Sequence, residues 1–403
     1  VGVGKVLSEH VAFDSVVVRF GGELWLKKTW TRRRYVRCLI ENMKRVLKRY
    51  NVEFGEVMRR RGRLFLRTTS AVEAASRLSR VFGISSVSPA LEVGSNKLED
   101  VVDKCVFLAS RVLGEGNSFA VRCRRVGEHP YSSRDVCREV GRRVLDEFGE
   151  TRSLTVDLKH PNVILGVEVR DNEAFVFNEI VKGVGGMPLG TQGRVICLLS
   201  GGVDSAVAGW LVMKRGCPLV PLYFNCKPYT DEIATERAVE IAKALCDWAV
   251  RFPRRLHVIP YGHVLKAIVK NCPRRLTCLL CKRMMYRVAE VLADQVRAEG
   301  IVTGEAIGEQ ASQTLRNLRV LDRAAKKYPV HRPLLGFDKA ETEGLARKIE
   351  AYKISARNVQ GCKAAPHKPA TKAKLEEIEE AEAELNIEEM VERCVGELKV
   401  VDL

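Results

Sequence analysis

The hexapeptide Ser200-Gly201-Gly202-Val203-Asp204-Ser205 follows an apolar run at 195–199 and leads into a segment with helical spacing. Two adjacent glycines let the backbone come close to a phosphate group. The amides at a helix N-terminus aim partial positive charge at it. Ser200 and Ser205 add hydroxyl donors. Asp204 would repel a phosphate, so its sensible work is to hold Mg²⁺ or the helix start. No Gly-Lys-Ser/Thr follows, which separates this loop from that of kinases and GTPases. The chemistry it supports is binding the phosphates of ATP. Downstream, Thr303-Gly304-Glu305 ends a strand and leads into Gly308-Glu309-Gln310-Ala311-Ser312-Gln313. Ligands of open α/β sheets sit at the carboxyl ends of the strands, so this segment can join the loop around one nucleotide. Tyr223 and Phe224, ending another strand, are placed to border an adenine. The plain alternative is an ordinary strand–turn–helix with capping residues, and the order of strand, loop and helix argues against it.

Thirteen cysteines, an odd number and widely scattered, speak against a disulfide framework. Four are grouped by context. Cys278-Leu-Leu-Cys281 enters a helix, with Cys272 before it and Lys282-Arg283 after it, and Cys362 sits in a Gly361-Cys362-Lys363 loop. Thiolates near helix starts and basic residues are stabilised as anions, which suits metal ligation or sulfur transfer. Three such thiolates can hold an iron–sulfur cluster with one iron left open. Persulfide or disulfide chemistry, a zinc site with Cys272 as the fourth ligand, and inert buried thiols are the competing readings.

These residues need elements to hold them. Strand signals at 195–199, 218–224, 257–261 and 302–304 alternate with helices starting near 204, 231 and 282, which implies a doubly wound parallel sheet. Upstream, strands at 16–20 and 63–67 enclose a helix at 31–50. Its Val36, Ile40, Met43 and Leu47 recur at helical spacing, with Arg33, Arg37, Lys44 and Lys48 on the other side. A second unit holds strand candidates at 119–123, 154–158, 163–169 and 174–178, and a helix capped by Ser132 or Ser133 that buries Val136, Val140, Val144 and Phe148. Gly183, Gly185, Gly186, Pro188 and Gly190 mark a break before the third unit.

Composition bounds the class. A chain of 403 residues exceeds one core of ordinary size, and a hydrophobic share of 46% excludes wholesale disorder. Lys and Arg number 67 against 50 Asp and Glu, giving +17. Residues 371–403 hold 4 basic and 11 acidic side chains, so the rest of the chain is more basic still. Such a surface draws polyanions, nucleic acid first; solubility or a hot-growth habit is the bland account. The apolar runs are short and residues 1–12 lack the pattern of an export signal. A cytoplasmic protein with no membrane segment is therefore expected.

Together these pieces resemble the tRNA 4-thiouridine synthetase family, the thiamine-biosynthesis sulfurtransferases, from about residue 16 to 370. The Ser200–Ser205 loop resembles the pyrophosphate-binding loop of the ATP-pyrophosphatases, which cleave ATP between the α and β phosphates and transfer AMP to a carbonyl oxygen. Arg19-Phe20-Gly21-Gly22-Glu23 through Leu26-Lys27-Lys28 is similar to the family's amino-terminal segment, and 331–349 (HRPLLGFDKAETEGLARKI) to its catalytic domain. The resemblance implies an α/β multidomain fold. A ferredoxin-like segment would occupy 1–74, a THUMP RNA-binding domain 75–180, and a doubly wound ATP-pyrophosphatase (PP-loop) domain 181–370, followed by an acidic helical tail at 371–403. It implies ATP contacts at Leu198, Leu199, Ser200, Gly201, Gly202, Val203, Asp204, Ser205, Tyr223, Phe224, Lys282, Gly304 and Gln313. It also implies catalytic work for Asp204, Cys278, Cys281 and Cys362, with those three cysteines linked to an iron–sulfur cluster and Mg²⁺ accompanying ATP.

The activity implied is adenylation of the C4 oxygen of a tRNA uridine, at position eight, and its replacement by sulfur. A tRNA 2-thiolation enzyme and a tRNA-binding protein with an inactive catalytic domain are the alternatives. Lys28 stands where the family usually has glycine. The chain reaches Leu403 soon after Cys362, so a form without the family's rhodanese domain is expected. Sulfur would then come from sulfide, or from a cysteine desulfurase or other persulfide carrier. The sequence leaves the oligomeric state open, a homodimer included.

Overall fold

A computed structural model of the chain describes residues 11–60 and 62–403; residues 1–10, read above for an export signal, and Arg61 lie outside the described residues. The chain divides into two compact units, with the boundary after Pro188.

The first unit contains strands β1 (Ser15–Phe20), β2 (Val57–Arg60), β3 (Arg63–Arg67), β4 (Ile84–Glu92), β5 (Ser118–Val126), β6 (Thr155–Val156), β7 (Val163–Arg170), β8 (Glu173–Phe177) and β9 (Val181–Lys182). Helices α1 (Thr29–Arg49), α2 (Ala71–Ser79), α3 (Leu98–Val112) and α4 (Ser133–Phe148) accompany them. Among the described residues the strands form one sheet in the order β2-β3-β1-β4-β8-β7-β5-β6, with β9 beside β4. The two basic segments expected in series thus share a sheet. Strand β4 joins them, pairing along β1 from Ser15↔Ala90 to Phe20↔Ile84 and then, through Leu91↔Val176, with β8.

Helix α1 buries Val36, Leu39, Met43 and Leu47 on the sheet, with Leu39 taking the deep position expected of Ile40. Helix α4 starts in a capping box: the Ser132 hydroxyl accepts from the Asp135 amide at 3.2 Å, and the Asp135 carboxylate accepts from the Ser132 amide at 2.8 Å. The strand expected at 154–158 shortens to Thr155–Val156. Asp157 turns the chain there, its carboxylate accepting from the amides of Lys159 and His160 at 2.8 and 3.0 Å.

The second unit contains strands β10 (Val195–Leu199), β11 (Leu219–Asn225), β12 (Arg255–Pro260), β13 (Ile301–Val302), β14 (Val330–His331) and β15 (Lys399–Asp402). Its helices are α5 (Val203–Lys214), α6 (Glu232–Trp248), α7 (Gly262–Asn271), α8 (Thr277–Val296), α9 (Leu315–Asp322), α10 (Lys339–Lys348), α11 (Tyr352–Ser355), α12 (Leu375–Ala383) and α13 (Ile387–Gly396). The sheet runs β14-β13-β10-β11-β12-β15 and is parallel except for β15, which is antiparallel to β12. Strand order reverses at β10, the switch point where open α/β sheets bind ligands.

Two features differ from expectation. Helix α8 starts at Thr277, so Cys278 and Cys281 lie in its first turns, one turn apart. Residues 371–403, expected as an acidic helical tail, hold α12, α13 and the edge strand β15. They pack on the unit's own basic surface. Glu382 of α12 accepts from Arg283 at 2.8 Å and from Arg287 at 2.7 Å, and Glu377 pairs with Arg275.

Candidate active site

Strand β10 delivers Ser200 to the end of the sheet, and α5 begins two residues after the turn glycine. Gly201 has φ +74, and a Cβ there would lie 3.0 Å from the Arg237 Cβ and 3.1 Å from the Ala238 amide, so conformation and space both demand glycine. The loop closes on its own hydroxyls. Ser205 Oγ accepts from the Ser200 amide at 3.2 Å and donates to the Gly202 carbonyl at 3.1 Å. Arg237 Nε and Ser355 Oγ donate to the Gly201 carbonyl at 3.1 and 3.2 Å, which fixes the turn from outside. Gly202 is the N-cap of α5 and offers no side-chain cap, so the first amides of the helix are available to an anion.

Beside the loop lies a cavity of about 300 Å³. Leu198, Leu199, Ser200, Asp204 and Ser205 line one part of it, and Tyr223 and Phe224 another. Lys282, Gly304 and Gln313 complete the expected set. Gly201, Gly202 and Val203 shape the loop without lining the cavity. The Gln313 Oε1 and Thr230 Oγ1 atoms are buried without a hydrogen-bond partner, and both residues face this cavity. Buried polar atoms are nearly always paired, so these two suit a ligand with its own polar groups. Glycine at 304 lets the end of β13 touch the loop, because a Cβ there would sit 2.5 Å from the carbonyl carbon of Asp204 and from the amide nitrogen of Ser205.

Charge in the cavity is tightly arranged. Glu305 accepts from Lys282 Nζ at 2.9 Å, Arg332 Nε at 2.7 Å and Tyr286 Oη at 2.8 Å. Burial alone would raise its pKa, but Lys282 and Arg332 outweigh it and hold the carboxyl at about 2. Asp204 and Glu309 share Lys339, at 3.0 and 2.6 Å. Burial raises the Asp204 pKa against the pull of Lys339. A cation already lies between these two carboxylates, so the donor set suits a positive ion, as expected for Mg²⁺ at Asp204.

The cysteines are less ordered for metal than the spacing suggests. Among the described residues no three His, Cys, Asp or Glu side chains are arranged to hold a metal ion. Cys272 is buried and its thiol donates to the Ala381 carbonyl at 3.3 Å, which removes it as the fourth zinc ligand. Cys278, Cys281 and Cys362 do lie within electrostatic reach of one another, and Cys226 joins them. Four soft thiols are a donor set suited to an iron–sulfur cluster, whose ligands stand farther apart than those of a single ion. The expected stabilisation of thiolates by helix start and basic neighbours is overridden. Burial raises the Cys278 pKa more than Lys282 and Arg274 lower it, raises Cys281 further, and pushes Cys226 up to about 12. Lys282 is committed to Glu305 instead.

Sequence reading missed Cys226, Lys339 and Arg332. Cys226 directly follows the end of β11 and lines the nucleotide cavity. Its carbonyl accepts from the Tyr229 amide, and the Tyr229 carbonyl accepts from the Lys363 amide at 2.9 Å, tying this turn to the loop of Cys362. Only its place, two residues past Phe224, could have signalled it.

The sheet order, the glycine loop at its switch point and the cavity beside it define a nucleotide-binding α/β protein of the pyrophosphate-loop class. Similarity to known proteins narrows this. The chain is 42% identical over 389 residues to a "Probable tRNA sulfurtransferase" of Methanosarcina acetivorans, covering 96% of this chain and 93% of that one. It is 37% identical over 383 residues to the protein of the same description in Methanothermobacter thermautotrophicus, covering 94% and 95%. The chain belongs to the tRNA sulfurtransferase family. Residues 190–387 match the family "Thiamine biosynthesis protein (ThiI)", 95–179 the "THUMP domain" and 15–88 the "ThiI ferredoxin-like domain". A crystal structure of a 4-thiouridine synthetase–RNA complex with bound ATP is similar with TM-score 0.86 and 31% identity, covering 96% of this chain and 99% of that one. The crystal structure of PH1313 from Pyrococcus horikoshii is similar with TM-score 0.63 and 27% identity, covering 84% and 99%. Among the described residues no helix is long and apolar enough to cross a membrane.

Proposed function

We propose that this chain makes 4-thiouridine in tRNA, at position eight by the family resemblance, in an ATP-dependent reaction that releases AMP and pyrophosphate. The observation that carries the reading is the cavity itself: phosphate loop, adenine-bordering pair and a thiol line one space. The solved relative with RNA and bound ATP supports it.

The C4 oxygen of uridine is a poor leaving group in a conjugated ring, so sulfur cannot displace it directly. The oxygen first attacks the α phosphorus of ATP. The bond to the bridging oxygen breaks, and pyrophosphate leaves toward the Ser200–Ser205 loop, where the α5 amides meet the charge. Lys282, which lines the cavity, and Lys339, which pairs with Asp204 at the loop, supply ammonium groups close by; both are paired with carboxylates in this structure. Mg²⁺ held by Asp204 would neutralise phosphate charge during this step. A sulfur nucleophile then attacks C4, and AMP departs with the oxygen. Cys362 is exposed and suits reception of the terminal sulfur of a persulfide carrier, whose own thiol then leaves. An iron–sulfur cluster held by Cys278, Cys281 and Cys362 would bind sulfide and present it as such a nucleophile. In the alternative, the outer sulfur of a carrier-loaded Cys362 persulfide bonds to C4, and the thiol of Cys278 or Cys281 breaks the S–S bond, freeing the thiouridine and leaving a disulfide with Cys362 that a thiol reductant must reopen.

The test incubates anaerobically purified protein with unmodified tRNA, ATP, Mg²⁺ and sulfide, then digests the RNA. Wild type is expected to yield 4-thiouridine, while Asp204→Ala and Cys362→Ala yield none. Appearance of 2-thiouridine, or no AMP formation with tRNA present, defeats the proposal.

A further inference from the structure

The surface of the first unit carries an apolar patch that its fold does not use. Leu26 is 87% exposed, Trp30 72% and Trp25 41%. Between Glu23 and Glu41 there are six basic residues (Lys27, Lys28, Arg32, Arg33, Arg34 and Arg37) and no acidic one. The two indoles differ in setting. Trp25 is fixed, stacked on Phe20 at 5.5 Å, with the Arg32 guanidinium 5.2 Å from its ring. Trp30, in the first turn of α1, has the Arg34 guanidinium at 5.8 Å, near the limit of a cation–π contact, and is otherwise open to solvent.

Both the charge and the Trp30 ring cost stability where they stand. The first turn of α1 has no acidic side chain, and the N-cap is Lys28 with no side-chain hydrogen bond. Positive side chains at the positive end of a helix dipole repel it, and an exposed tryptophan forgoes the burial its ring could gain. A polyanion with flat apolar faces relieves both at once. A protein partner fits less well, because the centres of protein interfaces are depleted in lysine, and Lys27 and Lys28 lie between Leu26 and Trp30 in sequence.

We propose that Trp30 is a stacking platform for an unpaired nucleotide of the RNA substrate, with Lys27, Lys28, Arg33 and Arg34 holding the neighbouring phosphates. The inference rests on the reading of tRNA as substrate and adds how one unpaired base is seized. Stacking recognises any base face, while the lysines and arginines follow the backbone.

The test titrates the full-length chain with unmodified tRNA and with a blunt RNA duplex at several salt concentrations. Trp30→Ala is expected to weaken tRNA binding about 5- to 150-fold, the range of one lost base–aromatic stack, with the salt dependence unchanged. Trp30→Phe is expected to keep most of the affinity and to lose the Trp30 share of the indole quenching expected on tRNA binding to the wild type, leaving any share from Trp25. Lys27→Gln/Lys28→Gln lowers the slope of log K against log salt by about 1.4 to 1.8. The blunt duplex binds wild type and Trp30→Ala equally. Equal tRNA affinity of wild type and Trp30→Ala at every salt concentration overturns the inference and hands the patch to a protein partner. A wild type that does not bind tRNA overturns the functional reading itself, and this inference with it.

Discussion

Gly304 sets how closely two segments of the site approach. The positions a Cβ would strike are backbone atoms of Asp204 and Ser205, which cannot yield as a flexible side chain would. Gly304→Ala is expected to lower tRNA-dependent AMP formation about 100-fold, the cost of a displacement near 1 Å at a reacting centre, with tRNA affinity unchanged. Wild-type AMP formation in the variant would show that the approach is dispensable. Glu305 makes a prediction in pH. Its folded pKa of about 2 lies below the ordinary value for glutamate, about 4.3. The ionised group therefore stabilises the fold fully above that ordinary value and loses this contribution as pH falls from about 4.3 toward 2. The urea midpoint of the wild type should drop across that window more steeply than that of Glu305→Gln, and parallel curves would remove Glu305 from the acid response. At this scale the contiguous chemistry is legible, because Ser200 to Ser205 builds its turn and helix start from consecutive backbone and side-chain groups. Lys339 is not, since its meeting with Asp204 is made by the return of α10 to the mouth of the loop.

Helix α8 ties the cysteines to the nucleotide, carrying Cys278, Cys281 and Lys282 in its first turns. It is held from behind by Glu382, whose carboxylate takes paired hydrogen bonds from Arg283 and from Arg287, all between 2.7 and 2.8 Å. The side chains of Arg283 and Glu382 are 2% and 10% exposed, so removing the acid strands a buried guanidinium. Glu382→Ala is expected to destabilise the second unit by about 3–5 kcal/mol, read as a shift of its urea transition; a loss below about 1 kcal/mol, as for a surface pair, would contradict this. The alternating strands and helices of this unit are readable from apolar spacing. The start of α8 is not, because Cys-Leu-Leu-Cys carries no capping signal, so apolar spacing places the start near 282 rather than at Thr277. Strand β4 escaped notice because serines and Pro89 dilute it. Pro89 sits where the second side of the strand passes from β9 to β8, so a proline that ordinarily argues against an inner strand is tolerated.

Over the whole molecule, the acidic segment 371–403 admits two accounts with opposite consequences. As a charge device it would temper RNA binding, and its removal, which takes away 11 acidic and 4 basic residues, would strengthen a salt-dependent association. As structure it closes the second unit. Ile378, Ala381, Leu385 and Cys394 are buried in that unit's core, and β15 pairs with β12 from Arg255↔Asp402 to Val258↔Lys399. Burying Ile378 and Leu385 alone is worth about 1.5–3 kcal/mol each, and Glu382 adds its clamp, against a typical total stability of about 5–15 kcal/mol. The structural term is the larger. Its scale lies in packing that composition cannot display, which is why the sequence showed only an acidic run. Truncation after Ala370 is therefore expected to abolish ATP binding and the cooperative unfolding of the second unit, whatever happens to RNA affinity. The measurement is calorimetric unfolding of the two chains side by side with ATP titration. A truncated chain that keeps both and binds RNA more tightly would make the segment an electrostatic appendage.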